Sequence, residues 1–180
     1  MFTETLPAEV FATQREFIKI MGGKLDFEWV AKTLVVEETK ELEEAYKAPE
    51  ISTTNVEHIF KELADVIYVV AQFYNVLPPF APELISQERN EDIQRIMDEA
   101  AILVSEVSQS MKIPLPLVIA AFEEVHRSNM SKLDDNGQPI LREDGKILKG
   151  PNYAPADMSK VVAEWQSIQH QLETNNAQIH

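Results

Sequence analysis

The chain has 180 residues, 44% of them hydrophobic and 26% charged, the composition of one globular domain with room for a sizeable core. Its formal net charge of −14 excludes a general role on DNA or RNA, because binding a phosphate backbone needs a basic surface. There is no cysteine, which excludes disulfides, thiolate metal sites and cysteine nucleophiles and makes a reducing cytoplasm the expected location.

The opening "MFTETLPAEV" has neither a basic stretch nor an apolar core and does not read as a signal peptide. No apolar run approaches the roughly 20 residues of a membrane span. An anionic substrate therefore calls for a local positive device, either a few placed cations or a bound metal.

Five glycines are few, and apolar residues recur at spacings of three and four, so the expected fold is an all-α bundle of about five to six helices. The first helix is expected at about 7–21, with Thr5 near its N-cap, Pro7 in its first turn and Gly22-Gly23 as its stop. The second spans about 26–47 and ends before Pro49. The third spans about 56–76 and stops before Pro78-Pro79. After the proline-rich "LPPFAPELIS" a fourth is expected at about 88–111 and a fifth at about 116–133. The texture then changes. "ILREDGKIL" predicts a small hairpin turning at Asp144-Gly145 within a loop excursion near 138–156. Asp157 is the expected N-cap of a last helix at about 158–172, and the tail 173–180, "ETNNAQIH", is expected to fray. The whole of 1–180 reads as a single domain with 134–156 as an insertion.

Five of the nine residues in "EETKELEEA" (37–45) are glutamate. At roughly 100° per residue the run divides. Glu43 and Glu44 fall with Lys32 and Lys40 on the polar side. Glu38 and Glu41 project from the apolar stripe of Phe27, Val30, Ala31, Leu34, Val35, Leu42 and Ala45, and Glu37 sits at its edge. Buried carboxylates are costly unless paired or bound to metal. The third helix is apolar nearly all round from Leu63 onward, yet carries Glu62 and Asp65 on one face that continues to Val69 and Gln72. An ion pair with a buried lysine or arginine is one resolution. Acids facing acids across a low-dielectric interior repel, and a hard divalent cation among oxygen ligands, Mg²⁺ or Mn²⁺, is the other.

On the fifth helix the stripe of Val118, Ala121, Phe122 and Val125 runs on to Asn129 and Lys132. An amide and an ammonium there either contact phosphate oxygens or emerge into water. On the first helix Gln14 lies with Val10, Phe17 and Met21, as a satisfied core glutamine or as an amide that reads a base beside an aromatic ring. The loop 134–156 carries Arg142, Lys146, Lys149, Asn152 and Tyr153, either a lid over a polyphosphate, a surface excursion or a dimer clasp.

"EETKE", a spacer of 20 residues and then "ELAD" resembles the EExxE…ExxD signature of the all-α nucleoside triphosphate pyrophosphatases. That superfamily includes MazG, phosphoribosyl-ATP pyrophosphohydrolase, dimeric dUTPases and dCTP pyrophosphatase. "VHRSNMSKL" followed by "GKILKGPNYAPADM" resembles the MazG-like members too, so the likeness covers most of 14–158. It implies a MazG-like helical bundle and a Mg²⁺-dependent nucleotide pyrophosphohydrolase that turns NTP and water into NMP and pyrophosphate, and helices this apolar on several faces make a homodimer, or a tetramer, the expected assembly. Glu38, Glu41, Glu62 and Asp65 would be metal ligands, with Glu37 or Glu38 handling the attacking water. Asn129 and Lys132 would contact phosphate, joined by Lys149 and Tyr153, and Gln14 and Phe17 would hold the base. A pyrimidine or non-canonical dNTP is the expected substrate. The alternatives are phosphoribosyl-ATP and a helical module that binds metal and nucleotide without turnover. A ferritin-like di-iron bundle needs paired Glu-x-x-His motifs, and only Glu123 to His126 exists here, with Glu123 facing away. An EF-hand in "DDNGQPILRED" fails on the offset of Gly137 from Asp134.

Overall fold

The computed structural model describes residues 6–49, 52–77 and 91–177. The expectations for Thr5, for most of the proline-rich link, for the start of the fourth helix at 88 and for the last three residues lie outside them. Within them the fold is all-α, with one small hairpin: α1 (Ala8–Met21), α2 (27–46), α3 (Thr53–Val76), α4 (Glu91–Ser110), α5 (Leu115–Met130), β1 (Ile140–Leu141), β2 (Ile147–Leu148) and α6 (Ser159–Ala177). No helix among the described residues is long and apolar enough to cross a membrane.

The predicted stops and starts act as expected. Gly22 takes φ +62° and its N–H closes on Ile18 O at 2.9 Å, ending α1. Leu77 is extended because a proline follows it. Pro114 and Pro116 begin α5, and Asp157 Oδ1 accepts the N–H of Ser159 at 3.0 Å ahead of α6. Two ends differ. The third helix starts three residues earlier than expected, at Thr53, because the side chain of Ser52 accepts the Asn55 N–H. The last helix runs on through most of the tail to Ala177, since nothing in "ETNNA" breaks it, and Thr174 Oγ1 donates to His170 O at 2.9 Å.

α3 is the central element and packs against α1, α2, α4, α5 and α6. This is why its residues from Glu62 to Phe73 are buried without a polar side, Asp65 excepted. One core cluster joins all six helices through Val10, Phe17, Val30, Leu42, Phe60, Ile67, Ile93, Phe122 and Val162.

α2 is not one regular helix. Phe27–Trp29 and Val36–Tyr46 are α-helical, but Val30–Val35 between them is π-helical, with the wider turns that accompany hydrogen bonds five residues apart. In an uninterrupted α-helix nine residues at roughly 100° each would place Trp29 about half a turn away from Glu38. The wide turns bring Trp29, Leu34 and Glu38 to the wall of one cleft.

Candidate functional site

The cleft lies between the C-terminal half of α2, the acidic face of α3, the end of α5 and the hairpin. Its inner part is lined by Phe17 and Trp29, by Tyr68, Val69 and Gln72 of α3, and by Gly22, Gly23 and Gly145. Its outer part is lined by Glu37, Glu38, Glu41, Lys61, Lys149 and Tyr153. Glu38, Asp65, Asn129, Lys132, Lys146 and Ile147 line both. One end is thus aromatic, the other charged.

Glu38 and Asp65 stand where the two parts join, Glu41 lines the outer part, and Glu62 is buried beside them. Glu38, Glu41 and Glu62 each offer an oxygen, and these atoms lie within 4.8 Å of one another. Glu38 is half-buried, Glu41 exposed and Glu62 buried. Glu41 therefore stands at the mouth of the cleft and not in the interior: within the regular stretch Val36–Tyr46 it lies at the rim of the face that Leu42 and Ala45 bury. Glu62 is 2% exposed and its Oε2 has no hydrogen-bond partner. A buried carboxylate oxygen without a partner is costly. Its other oxygen accepts from Lys61 Nζ at 2.7 Å and lies 2.9 Å from His58 Nε2. Asp65 stands outside the triad: its Oδ2 accepts from Lys61 Nζ at 2.8 Å.

The electrostatics follow from that crowding. Burial, reinforced by Asp65 and Glu41, pushes the Glu38 carboxyl up from its ordinary value of 4.5 to about 8. Burial also raises Glu41, with Glu62 adding to it, and raises Asp65, against the pull of Lys61. Burial alone would lower the Lys61 ammonium, but Asp65 and Glu62 outweigh it and hold the charge more firmly than usual. Burial lowers Lys132, and Asp65 and Glu38 oppose that.

The other expected residues divide. Asn129 is buried, and it and Lys132 both line the cleft, so the end of the fifth-helix stripe turns into the site and not into water. Lys132 stands two residues past the end of α5. Its carbonyl accepts from Gly150 N at 3.1 Å. A Cβ on Gly150 would come within 2.7 Å of that oxygen and 2.3 Å of Leu133 O, so only glycine allows this approach. Lys149 sits 4.6 Å from the centre of the Tyr153 ring, both in the outer wall. Of the other loop residues, Arg142 pairs with Asp144 and Asn152 donates to Asp135. Lys146 donates to both oxygens of Glu37 at 2.6 and 2.7 Å, fastening the hairpin across the acidic helix.

Phe17 lines the cleft with its ring centre 5.4 Å from that of Tyr68. Gln14 does not: it is fully buried, and its Oε1 accepts from Asn75 Nδ2 at 2.9 Å, which places it as a core amide between α1 and α3. Three contributors escaped the sequence reading. Lys61 was findable, since it precedes Asp65 by one helical turn. Tyr68 follows Asp65 by three residues and looked like core; its hydroxyl lies 3.0 Å from His126 Nδ1. Trp29 carried no signal, because its place depends on the wide turns.

An all-oxygen donor set suits Mg²⁺ or Mn²⁺. Donors on opposite sides of such an ion at roughly 2.1 Å stand about 4.2 Å apart, so a triad closed to within 4.8 Å fits one with small side-chain adjustments. Comparison of the chain with family models, with curated proteins and with solved structures gives no match.

Proposed function

We propose that the chain is a Mg²⁺-dependent nucleoside triphosphate pyrophosphohydrolase that releases a nucleoside monophosphate and pyrophosphate, acting on a pyrimidine or non-canonical deoxynucleotide. The observation that carries this reading is the junction of the cleft. There a triad of carboxylates, with one buried oxygen left unpartnered, adjoins Lys132 and Asn129 on one side and an aromatic recess on the other. The resemblance of "EETKE" and "ELAD" to the MazG-like signature points the same way.

Glu38, Glu41 and Glu62, with Asp65 beside them, would hold the cation, which when bound neutralises charge on the polyphosphate and acidifies water. Lys132 and the Asn129 amide steady phosphate oxygens, and Lys146, Lys149 and Tyr153 flank them from the hairpin side. Glu38 or Glu37 orients the attacking water and accepts its proton. Glu38 is the better placed, since it stands among the acids at the cleft junction, whereas both oxygens of Glu37 are engaged by Lys146. Water adds to the α-phosphorus, whose bond to the α–β bridging oxygen breaks so that pyrophosphate leaves with the electron pair, or to the β-phosphorus, whose bond to that oxygen breaks so that the nucleoside monophosphate leaves with it. The recess of Phe17, Trp29 and Tyr68 takes the base. The chain acts as a homodimer, or as a tetramer, which light scattering decides.

A panel of dNTPs, NTPs and phosphoribosyl-ATP is incubated with the protein and Mg²⁺, and products are separated by ion-exchange chromatography. Monophosphate and pyrophosphate in equal amounts, abolished by EDTA, are expected. Orthophosphate with a diphosphate, or no turnover of any nucleotide, would sink the proposal. The seat of Lys61 between Glu62 and Asp65 favours one second reading, a module that binds nucleotide with its acidic cluster neutralised by its own lysine. Binding without turnover in the same panel is its signature.

A further inference from the structure

Lys61 bridges two acids of the cluster and has no part in the proposed chemistry. Its Nζ lies 2.7 Å from Glu62 Oε1 and 2.8 Å from Asp65 Oδ2, and both carboxylates belong to the proposed cation site. A divalent ion held jointly by Glu62 and Asp65 and an ammonium wedged between them exclude each other. Both sit on the same two carboxylates, Lys61 on Glu62 Oε1 and Asp65 Oδ2, and like charges a few ångströms apart repel strongly where water is partly excluded. Lys61 is also free to leave. It is on the outer wall of the cleft with its side chain 37% exposed, and its long stem reaches water by rotation about its own bonds. Asp65 is 18% exposed and set in a helix buried along its length, so it stays. His58, the other group on Glu62 Oε1, is exposed and does not touch Asp65.

We propose that Lys61 is a resident counter-cation that the divalent ion must displace from Glu62 and Asp65, so that it sets the affinity of the site. This rests on the metal-site reading above. Its consequence is specific: removing the ammonium strengthens ion binding, where removing an ordinary site residue weakens it. A second consequence is that the displaced amine turns into the outer part of the cleft, where the charged groups of an anionic ligand lie.

The test is calorimetric titration of the full-length protein with MnCl₂ and MgCl₂ for wild type, Lys61→Met, Lys61→Gln and Lys61→Arg, with helicity checked by circular dichroism. Lys61→Met and Lys61→Gln are expected to bind about tenfold tighter or more, equivalent to about 1.4 kcal/mol, and Lys61→Arg to bind like wild type. If wild type binds and the neutral variants bind no tighter, the role of Lys61 is overturned and the metal site stands. If no form binds either ion, both fall. Should the neutral variants fail to fold, acetylation of wild-type Lys61, read by mass spectrometry with and without Mg²⁺, decides. Faster modification of Lys61 with the ion, while Lys40 and Lys47 stay unchanged, is expected, and an unchanged rate overturns the proposal.

Discussion

The glutamate run 37–45 lies on one helix, yet its two faces live in different dielectrics. On the outer face Glu43 and Glu44 pair with Lys47 and Lys40 one turn away, every side chain being about half or more exposed. On the inner face Glu38 meets Glu41, Glu62 and Asp65 across the α2–α3 interface, and its carboxyl is pushed to about 8. The residue type is the same and the charge nominally equal, but only the inner set is short of counter-charge. Water solves the problem of the outer glutamates. Lys61 solves it in part for the inner ones, and an oxygen of Glu62 stays without a partner.

Substitution should therefore have opposite effects on function and on stability, and the largest effects should come from the inner face. Glu62→Gln and Glu38→Gln are expected to lower pyrophosphohydrolase activity by more than about 100-fold, since even the outer partners of metal ligands cost roughly 10–100-fold. In EDTA, Glu38→Gln should melt at a higher temperature than wild type, because it removes a carboxylate whose ionised form is penalised by burial. Assay of the products and calorimetric melting check the two halves. Full activity in Glu38→Gln would break the comparison at its root.

A smaller effect, still tied to the inner face, is the pH dependence of stability. The Glu38 carboxyl keeps its proton up to about pH 8 in the fold, against an ordinary value of 4.5. Between those values the folded chain binds more protons than the unfolded one, so stability falls as pH rises through that window. Asp65 and Glu41, raised chiefly by burial, act in the same direction. Melting temperatures in EDTA are expected to decline from pH 5 to pH 8, less steeply in Glu38→Gln. Saturating Mg²⁺ should flatten the decline in wild type, because the ion binds the ionised form. A melting temperature that rises over this range would contradict the inner-face account.

What was legible in the sequence follows the same division between local and non-local causes. Helix ends at Gly22, Leu77 and Pro114 were written in residues whose own backbone preferences stop or start a helix. The acidic face was legible because Glu62 and Asp65 interrupt an otherwise apolar helix. Trp29 was not, because the wide turns at Val30–Val35 come from a hydrogen-bond register that no residue in that stretch announces. Gln14 was ambiguous for another reason: the partners of a buried amide are remote in sequence, and here Asn75, 61 residues away, donates to its Oε1 while its Nε2 has no partner. Lys61 has a stem long enough to reach either side of its helix, so phase alone places its Cβ and not its charge.

The smallest effects belong to the outer face, and they rank by helix electrostatics. Glu43 precedes Lys47 and Lys40 precedes Glu44, and the order with glutamate first is the more favourable at a spacing of four. Pairing alone would make Glu43→Gln the costlier change. Glu43 and Glu44, however, both lie in the last turn of α2, which ends at Tyr46, where the partial negative charge of the helix end disfavours a carboxylate. The two contributions oppose each other at both residues. Both Glu43→Gln and Glu44→Gln are thus expected within about 0.5 kcal/mol of wild type by denaturant melts, with Mg²⁺ affinity unchanged. Raising the salt concentration should erase what difference remains between them, because pairs this exposed are screened. A loss of Mg²⁺ affinity in Glu44→Gln as deep as that in Glu38→Gln would mean that the helix presents its acids to one shared field, and the division of the run into two faces would fail.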